Sequence, residues 1–332
     1  MQALVTGATG LLGRHLVAVL VEAGTAVRAL VRPTSDTRHL KEQGVELVYG
    51  AAGNQGALYT AVQGAELIFH AAGYLTANAP FGVDGSADNE WPLYKTINVD
   101  FTEALLEAAL DSDVSRFLYV SSSSVYSSDV AVPTPEDAPL IPISTYGRSK
   151  LLAEEKVRLF QARGLPTTII RPPVIYGPGD RYFTPLALRL ARLPLLPLVN
   201  GGRNLMDLVY VVDVAQLLWR AAEREAAVGR TYNAGPGRST TLYDLVQAFR
   251  RTSGRGPVIL PVSPRAAGRT SWLSRRIVKP FFPEVEGALT SEGIKLMSRD
   301  HHLDMSRAAN ELDFHPQFNL DQGLALTLGS AP

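Results

Sequence analysis

Val5-Thr6-Gly7-Ala8-Thr9-Gly10-Leu11-Leu12-Gly13-Arg14 joins a short apolar stretch, Gln2 to Val5, to the helical pattern Leu11, Leu12, Leu16, Val17 and Leu20. Gly7, Gly10 and Gly13 fall at GxxGxxG spacing. A strand that turns sharply into a helix aims free backbone N–H groups and the positive end of a helix dipole at one place, where a pyrophosphate can sit. The glycines allow the tight turn, the close approach of the phosphate and close helix–strand packing. The spacing alone also fits a plain tight turn; the strand before it and the helix after it favour the phosphate site. Gly7, Thr9, Gly10, Leu11, Leu12 and Gly13 are therefore the first candidate cofactor contacts.

Working outward, strand-like runs at 2–6, 26–31, 45–49, 66–70, 116–121 and 167–171 alternate with helical stretches at 11–23, 55–63, 98–111 and 146–163. Such alternation implies βαβ units and a parallel sheet covered on both faces. After Arg171 the prolines 172, 173, 178, 185, 194 and 197 break the periodicity. Strand and helix return over 208–234, and from about 236 the chain reads as irregular until a helix near 305–312. The expected fold class is α/β: a Rossmann-type doubly wound parallel sheet with a smaller, interleaved C-terminal substrate lobe. Residues 1–172, rejoined by about 204–234, would form the dinucleotide domain, and 173–203 with 235–332 the lobe.

Composition narrows the class of function. The 332 residues are 46% hydrophobic, with a mean hydropathy of +0.04, as in an ordinary globular protein. Lys plus Arg equals Asp plus Glu at 32 each, so no electrostatic footprint for nucleic acid is present. Without cysteine there is no disulfide, thiol nucleophile or thiolate metal site. His301-His302 has no further ligand at metal spacing, so no metal is expected. The strand at residue 2 and the lack of a long apolar run make a cytoplasmic protein the expectation.

Tyr146-Gly-Arg-Ser-Lys150 opens a helix, so Tyr146 and Lys150 at i and i+4 share one face. A phenol of pKa ~10 becomes a useful acid–base group near neutrality when a cation favours its phenolate. An ordinary solvated Tyr/Lys pair fits the same spacing. Ser121-Ser122-Ser123-Ser124-Val125-Tyr126 follows the strand 116–121 and can turn hydroxyls into a crevice, or simply make a polar turn.

Together these motifs resemble the extended short-chain dehydrogenase/reductase family over roughly residues 2–328, in pattern nearest its 3β-hydroxysteroid/sterol dehydrogenase branch. His70-Ala71-Ala72-Gly73, Asn98-Val99, Arg171-Pro172-Pro173, Tyr176-Gly177-Pro178 and Tyr210 to Ala215 also match. The resemblance implies Tyr146 as general acid/base, Lys150 as its pKa-lowering and ribose-binding partner, and Ser122 as the hydroxyl that polarises the substrate oxygen, with Ser123 as fallback. It also implies cofactor contacts from His70, Ala71, Ala72, Gly73, Asn98, Ser121, Pro172, Pro173 and Val174. The reaction implied is hydride transfer between nicotinamide C4 and a carbinol carbon.

At the end of the second strand an acidic residue would bind the ribose hydroxyls of NAD, but Val31 and then Arg32 stand there. Arginine suits a 2′-phosphate, so NADP is expected rather than NAD. Two departures from the family pattern are Gly50-Ala51-Ala52, lacking the usual aspartate and leaving adenine to a neighbour such as Asn54, and Phe101 in place of a glycine.

A nucleotide-sugar epimerase or dehydratase is the alternative. It would need phosphate contacts where this chain has Pro173 and Met206-Asp207, and a dehydratase needs an acid that Ser121 to Ser124 do not offer. The apolar stretch Leu186 to Val199, interrupted by Arg189 and Arg192, suits instead a bulky lipophilic alcohol or ketone, although it equally fits lobe core. A non-catalytic NADP-sensing regulator would be expected to lose Tyr146 or Lys150, and both are intact. Trp272, Arg275, Arg276, Lys279, Phe281 and Phe282 read as lobe packing or a lid rather than a membrane patch. Apolar stripes on 98–111 and 146–163 make a homodimer the expected assembly, since that family pairs these helices.

Overall fold

The computed structural model describes residues 1–76, 87–254, 256–278, 280–282 and 289–329. Six short strands alternate with helices: β1 (Gln2–Thr6), β2 (Ala26–Val31), β3 (Glu46–Tyr49), β4 (Leu67–His70), β5 (Arg116–Val120) and β6 (Thr167–Arg171). With the strand Thr231–Asn233 they make a seven-stranded sheet, in which every pairing is parallel. Starting from Thr231–Asn233, the order runs β6, β5, β4, β1, β2, β3. The chain winds outward from β1 to β3 and crosses back to β4, which opens a crevice beyond the ends of β1 and β4.

Both faces are closed by helices. On one, α1 (Leu11–Glu22) packs against the helix Val211–Glu223, with Leu16, Val17, Leu20, Leu217 and Leu218 fully buried. Each such side chain contributes about 1.5–3 kcal/mol of transfer free energy. The short α2 (Arg38–Glu42) follows β2. On the other face lie α3 (Gln55–Val62), α5 (Phe101–Leu110) and α6 (Thr145–Ala162), whose Leu58, Leu105, Val157 and Phe160 pack together.

The helix expected at 98–111 is longer. It begins as α4 (Ala87–Tyr94) and passes through a π-turn, Lys95–Asp100, into α5. Asn98 therefore sits in the π-turn, where its carbonyl accepts from the Thr102 hydroxyl at 2.7 Å.

The irregular region expected after 236 is overturned. Helix Leu242–Ser253 is fixed by a capping box, the Thr241 hydroxyl and the Asp244 carboxylate binding each other's backbone N–H, and by left-handed Gly254 at its end. Pro264 opens a further helix to Val278, a favoured place for proline. The prolines at 194 and 197 do not prevent a strand at Leu195–Val199, because among the described residues its only partner is Val258–Val262 and a two-stranded edge tolerates missing donors. Tyr176, Phe183, Tyr210, Phe249 and Leu324 pack into a separate apolar cluster.

Candidate active site

The glycine turn has the shape a dinucleotide needs. Gly7 has φ +74°, and a side chain on it would meet the Ala71–Ala72 peptide at 2.6–2.8 Å. A Cβ on Gly13 would stand 2.1 Å from the Gly7 carbonyl oxygen, so α1 lies directly on the turn. The Gly10 N-cap has extended backbone and no side-chain cap, leaving the first N–H groups of α1 turned to the crevice. This cradle, which any Cβ would fill, fits a pyrophosphate. Arg32, at the open end of β2, is exposed, and its guanidinium has no partner among the described residues. Asn54 uses its Oδ1 to cap α3, accepting from Ala57 N at 3.1 Å.

Tyr146 and Lys150 lie on the first turns of α6, whose N-cap Ser144 accepts from Gly147 N at 3.0 Å. A Cβ on Gly147 would come 2.3 Å from the Ser124 carbonyl, so this glycine lets the helix start touch the serine turn. That contact brings the Tyr146 phenol close to the Ser122 hydroxyl. Ser122 Oγ accepts from Ser124 N at 3.1 Å and donates to Ser124 Oγ at 3.2 Å. Burial pushes the phenol up to about 12, with the Ser122 hydroxyl opposing the shift.

Lys150 is 3% exposed, and burial lowers its ammonium to about 7, against the attraction of Glu154. Its Nζ donates to Val120 O at 2.6 Å and lies 4.6 Å from the Tyr119 ring centre. The ammonium thus rests on the end of β5.

Asn98 Nδ2 donates to Ser149 Oγ at 2.8 Å and to Tyr74 O at 3.0 Å, while its Oδ1 accepts from Tyr74 N at 2.6 Å. Asn98 therefore ties the loop after Gly73 to the turn of α6 that carries Lys150.

Two residues named as cofactor contacts point their side chains elsewhere. His70 is fully buried, with Nδ1 2.6 Å from Thr6 Oγ1 and Nε2 2.8 Å from Thr102 Oγ1. Thr102 donates to Asn98 O, so it accepts from Nε2–H, and Nδ1 accepts from Thr6. Burial lowers the imidazole to about 3, leaving it a neutral tie between strands and α5. The Ser121 hydroxyl donates to Glu154 Oε1 at 2.6 Å, inside the protein. From these segments only backbone and the neighbours Ala71, Ala72 and Gly73 remain for the crevice.

Pro172 O accepts from Ser123 N at 2.9 Å, which places Pro172 under the serine turn. Pro173 and Val174 line a cavity of about 110 Å³ with Ser123, Ser124, Tyr126, Asp207 and His302. A larger cavity of about 380 Å³ adjoins it in the lobe, walled by Leu186, Leu190, Leu196, Leu198, Leu245 and Phe249. The two share Met206, Leu296, Met297 and His301. Leu186 to Val199 is thus largely cavity wall. Arg189 is exposed; it donates to Phe281 O at 2.6 Å and stacks on Phe282, and both phenylalanines line the cavity. Lys279 lies outside the described residues, as do the side chains of Trp272 and Arg275.

Sequence reasoning missed the polar network below the serines. Glu154, 0% exposed, binds Arg171 through both carboxylate oxygens, and Arg171 Nη1 donates to Tyr126 OH and Glu136 O. The signal available was Glu154 one turn beyond Lys150 on the same face of α6.

The fold and glycine cradle define a Rossmann-class dinucleotide-binding protein. The chain belongs to the NAD dependent epimerase/dehydratase family, whose model matches residues 3–235. It is an extended short-chain dehydrogenase/reductase, with NAD(P)-dependent chemistry on CH–OH groups. It is 28% identical over 327 residues to a 4-hydroxy-2-methyl-3-oxo-4-farnesyl-3,4-dihydroquinoline-1-oxide ketoreductase of Stigmatella aurantiaca, covering 98% of this chain and 95% of that one. It is also 28% identical over 337 residues to a 2-alkyl-3-oxoalkanoate reductase of Stenotrophomonas maltophilia, covering 98% and 97%. Among solved structures, UDP-glucose 4-epimerase of Thermotoga maritima with UDP-glucose superposes with a TM-score of 0.77 at 25% identity, covering 99% and 98%. No described helix is long and apolar enough to cross a membrane.

Proposed function

We propose that the chain is an NADP-dependent oxidoreductase acting on a bulky, mainly apolar hydroxy or keto compound, with Ser122, Tyr146 and Lys150 as its catalytic set. The apolar cavity beside the serine turn carries this reading. Its described lining holds one arginine, Arg299, which is already paired with Asp129 and donates to Ser128 O. Among the described lining residues a diphosphate would meet no free cation, whereas an alkyl or isoprenoid group would meet leucine and phenylalanine. The two reductases similar to this chain act, by their names, on farnesyl- and alkyl-bearing oxo compounds.

When bound, the reduced nicotinamide supplies a hydride to the carbonyl carbon. The Ser122 hydroxyl polarises the carbonyl oxygen, and Tyr146, which its high pKa keeps protonated, delivers the proton that completes the alcohol. Lys150 stands one turn from the phenolate so formed and also suits the cofactor ribose. The exposed Arg32 suits a 2′-phosphate. We place this activity in a cytoplasmic homodimer formed through α5 and α6.

Epimerisation of a nucleotide sugar is the second reading, favoured by the likeness to the Thermotoga epimerase. Purified protein given NADPH with long-chain ketones, and UDP-glucose in parallel, separates the two. Ketone-dependent NADPH oxidation is expected. UDP-galactose formed without cofactor consumption would install the second reading.

A further inference from the structure

Asp207 and His302 form a pair in the wall of the smaller cavity, the carboxylate buried and the imidazole half-buried. Asp207 is 4% exposed and its carboxylate is held from two sides, with Oδ1 2.9 Å from His302 Nδ1 and Oδ2 accepting from Leu303 N at 2.8 Å. His302 is fixed along its backbone as well. Its carbonyl accepts from Thr134 N at 2.7 Å, and Leu303 bridges Thr134. With Nδ1–H donated to Asp207, Nε2 is the nitrogen left, and it has no partner among the described residues. The ring lines the cavity of about 110 Å³ that Ser124 also lines, and Ser124 is hydrogen-bonded to Ser122. That cavity has less than a third of the 380 Å³ of its apolar neighbour. A group that fills it lies against Ser123, Ser124 and His302.

We infer that His302, oriented by Asp207, is a specificity-determining residue that hydrogen-bonds a second oxygen of the substrate, close to the carbonyl held at Ser122. The substrate class is then a 1,3-dioxygenated head on an aliphatic tail, such as a β-keto ester, acid or amide, with the tail passing Met206 and Met297 into the larger cavity. Unbranched, flexible methionines at this passage suit a chain better than a rigid ring system. The inference rests on the reductase reading. A neutral imidazole accepts from an enol or hydroxyl, and its cation donates to a carbonyl. Pairing with Asp207 favours the cation, since the carboxylate's hydrogen bond and charge raise the ring's pKa against its burial.

The test uses a matched pair, methyl 3-oxododecanoate and dodecan-3-one, and reads the ratio of their kcat/KM values. In the wild type the ratio favours the keto ester. In His302→Phe it is expected to fall at least ten-fold, and in His302→Gln, which keeps a polar tip, by less. An unchanged ratio in both folded variants would overturn the inference. If neither ketone is turned over, the reductase reading fails separately, and binding decides the role of His302. Methyl 3-hydroxydodecanoate titrated into ¹⁵N-histidine-labelled protein should move the His302 Nε2 resonance, assigned from the His302→Gln spectrum. A resonance that stays still at saturation overturns it.

Discussion

Glu154 and Arg171 form a two-pronged ion pair, Oε1 to Nε at 2.8 Å and Oε2 to Nη2 at 2.7 Å, with both side chains at most 1% exposed. The pair joins α6 to the end of β6, and Ser121 and Tyr126 are tied to it from the serine turn. It fixes the serines relative to Tyr146 and Lys150. Removing one partner leaves a buried charge without compensation. Glu154→Ala is therefore expected to cost about 3–5 kcal/mol in a denaturant melt. A melt within 1 kcal/mol of wild type would contradict this role.

The same pair sets an acid limit. Burial alone would raise the Glu154 carboxyl, but hydrogen bonding and charge from Arg171, with the Ser121 hydroxyl, bring it below its usual value. A depressed carboxylate contributes stability that is present above its unfolded pKa and lost as pH falls through its folded pKa. Stability is expected to drop below about pH 4.5. In Glu154→Gln that part of the drop should shrink, as chemical melts from pH 3 to 7 would reveal.

Lys150 works in the opposite direction. Its pKa is lowered to about 7 by burial, so between pH 7 and 10.5 the unfolded chain binds the proton that the folded chain has lost. Stability from this group therefore rises with pH across that window. Lys150→Met should remove the slope and melt at or above the wild-type temperature at pH 7, while losing at least 100-fold in kcat. A melting temperature well below wild type would mean that the hydrogen bond to Val120 outweighs the burial cost.

Gly147 and Gly13 are sites where one methyl group separates fold from function. Gly147→Ala would force the Ser124 carbonyl away from α6, because the new Cβ falls 2.3 Å from it. The expected result is a kcat at least ten-fold lower with cofactor affinity little changed. Gly13→Ala meets backbone at 2.1 Å and should instead weaken the dinucleotide. Cofactor titration by fluorescence, beside steady-state kinetics, distinguishes the two.

The proposed use of NADP rests on Arg32. Arg32→Asp is expected to lower kcat/KM for NADPH at least ten-fold and leave that for NADH within two-fold. Equal losses with both cofactors would remove the guanidinium from the 2′-phosphate.

Much of this was legible in the sequence, because the decisive signals are local. Gly7 to Gly13, the Tyr146/Lys150 spacing and the strand ends at Arg32 and Ser121 depend on residues within a few positions of each other. What was not legible depends on distant pairings. Glu154 meets Arg171 from 17 residues away, and Asp207 meets His302 from 95 away. The fate of His70 could not be read either, since Thr6 and Thr102 reach it from other elements. The helices after 236 have a marked apolar face of their own, with Leu242, Leu245, Val246 and Phe249 at helical spacing, which the prolines of the surrounding stretch obscured in the sequence.

Isotope transfer tests the central claim most directly. NADPH carrying deuterium at the transferable C4 position is incubated with methyl 3-oxododecanoate and the purified protein, and the alcohol is analysed by mass spectrometry. One deuterium on the carbinol carbon with wild type, and no alcohol with Tyr146→Phe, is the predicted result. An undeuterated substrate, with UDP-glucose epimerised by the same preparation, would contradict the account.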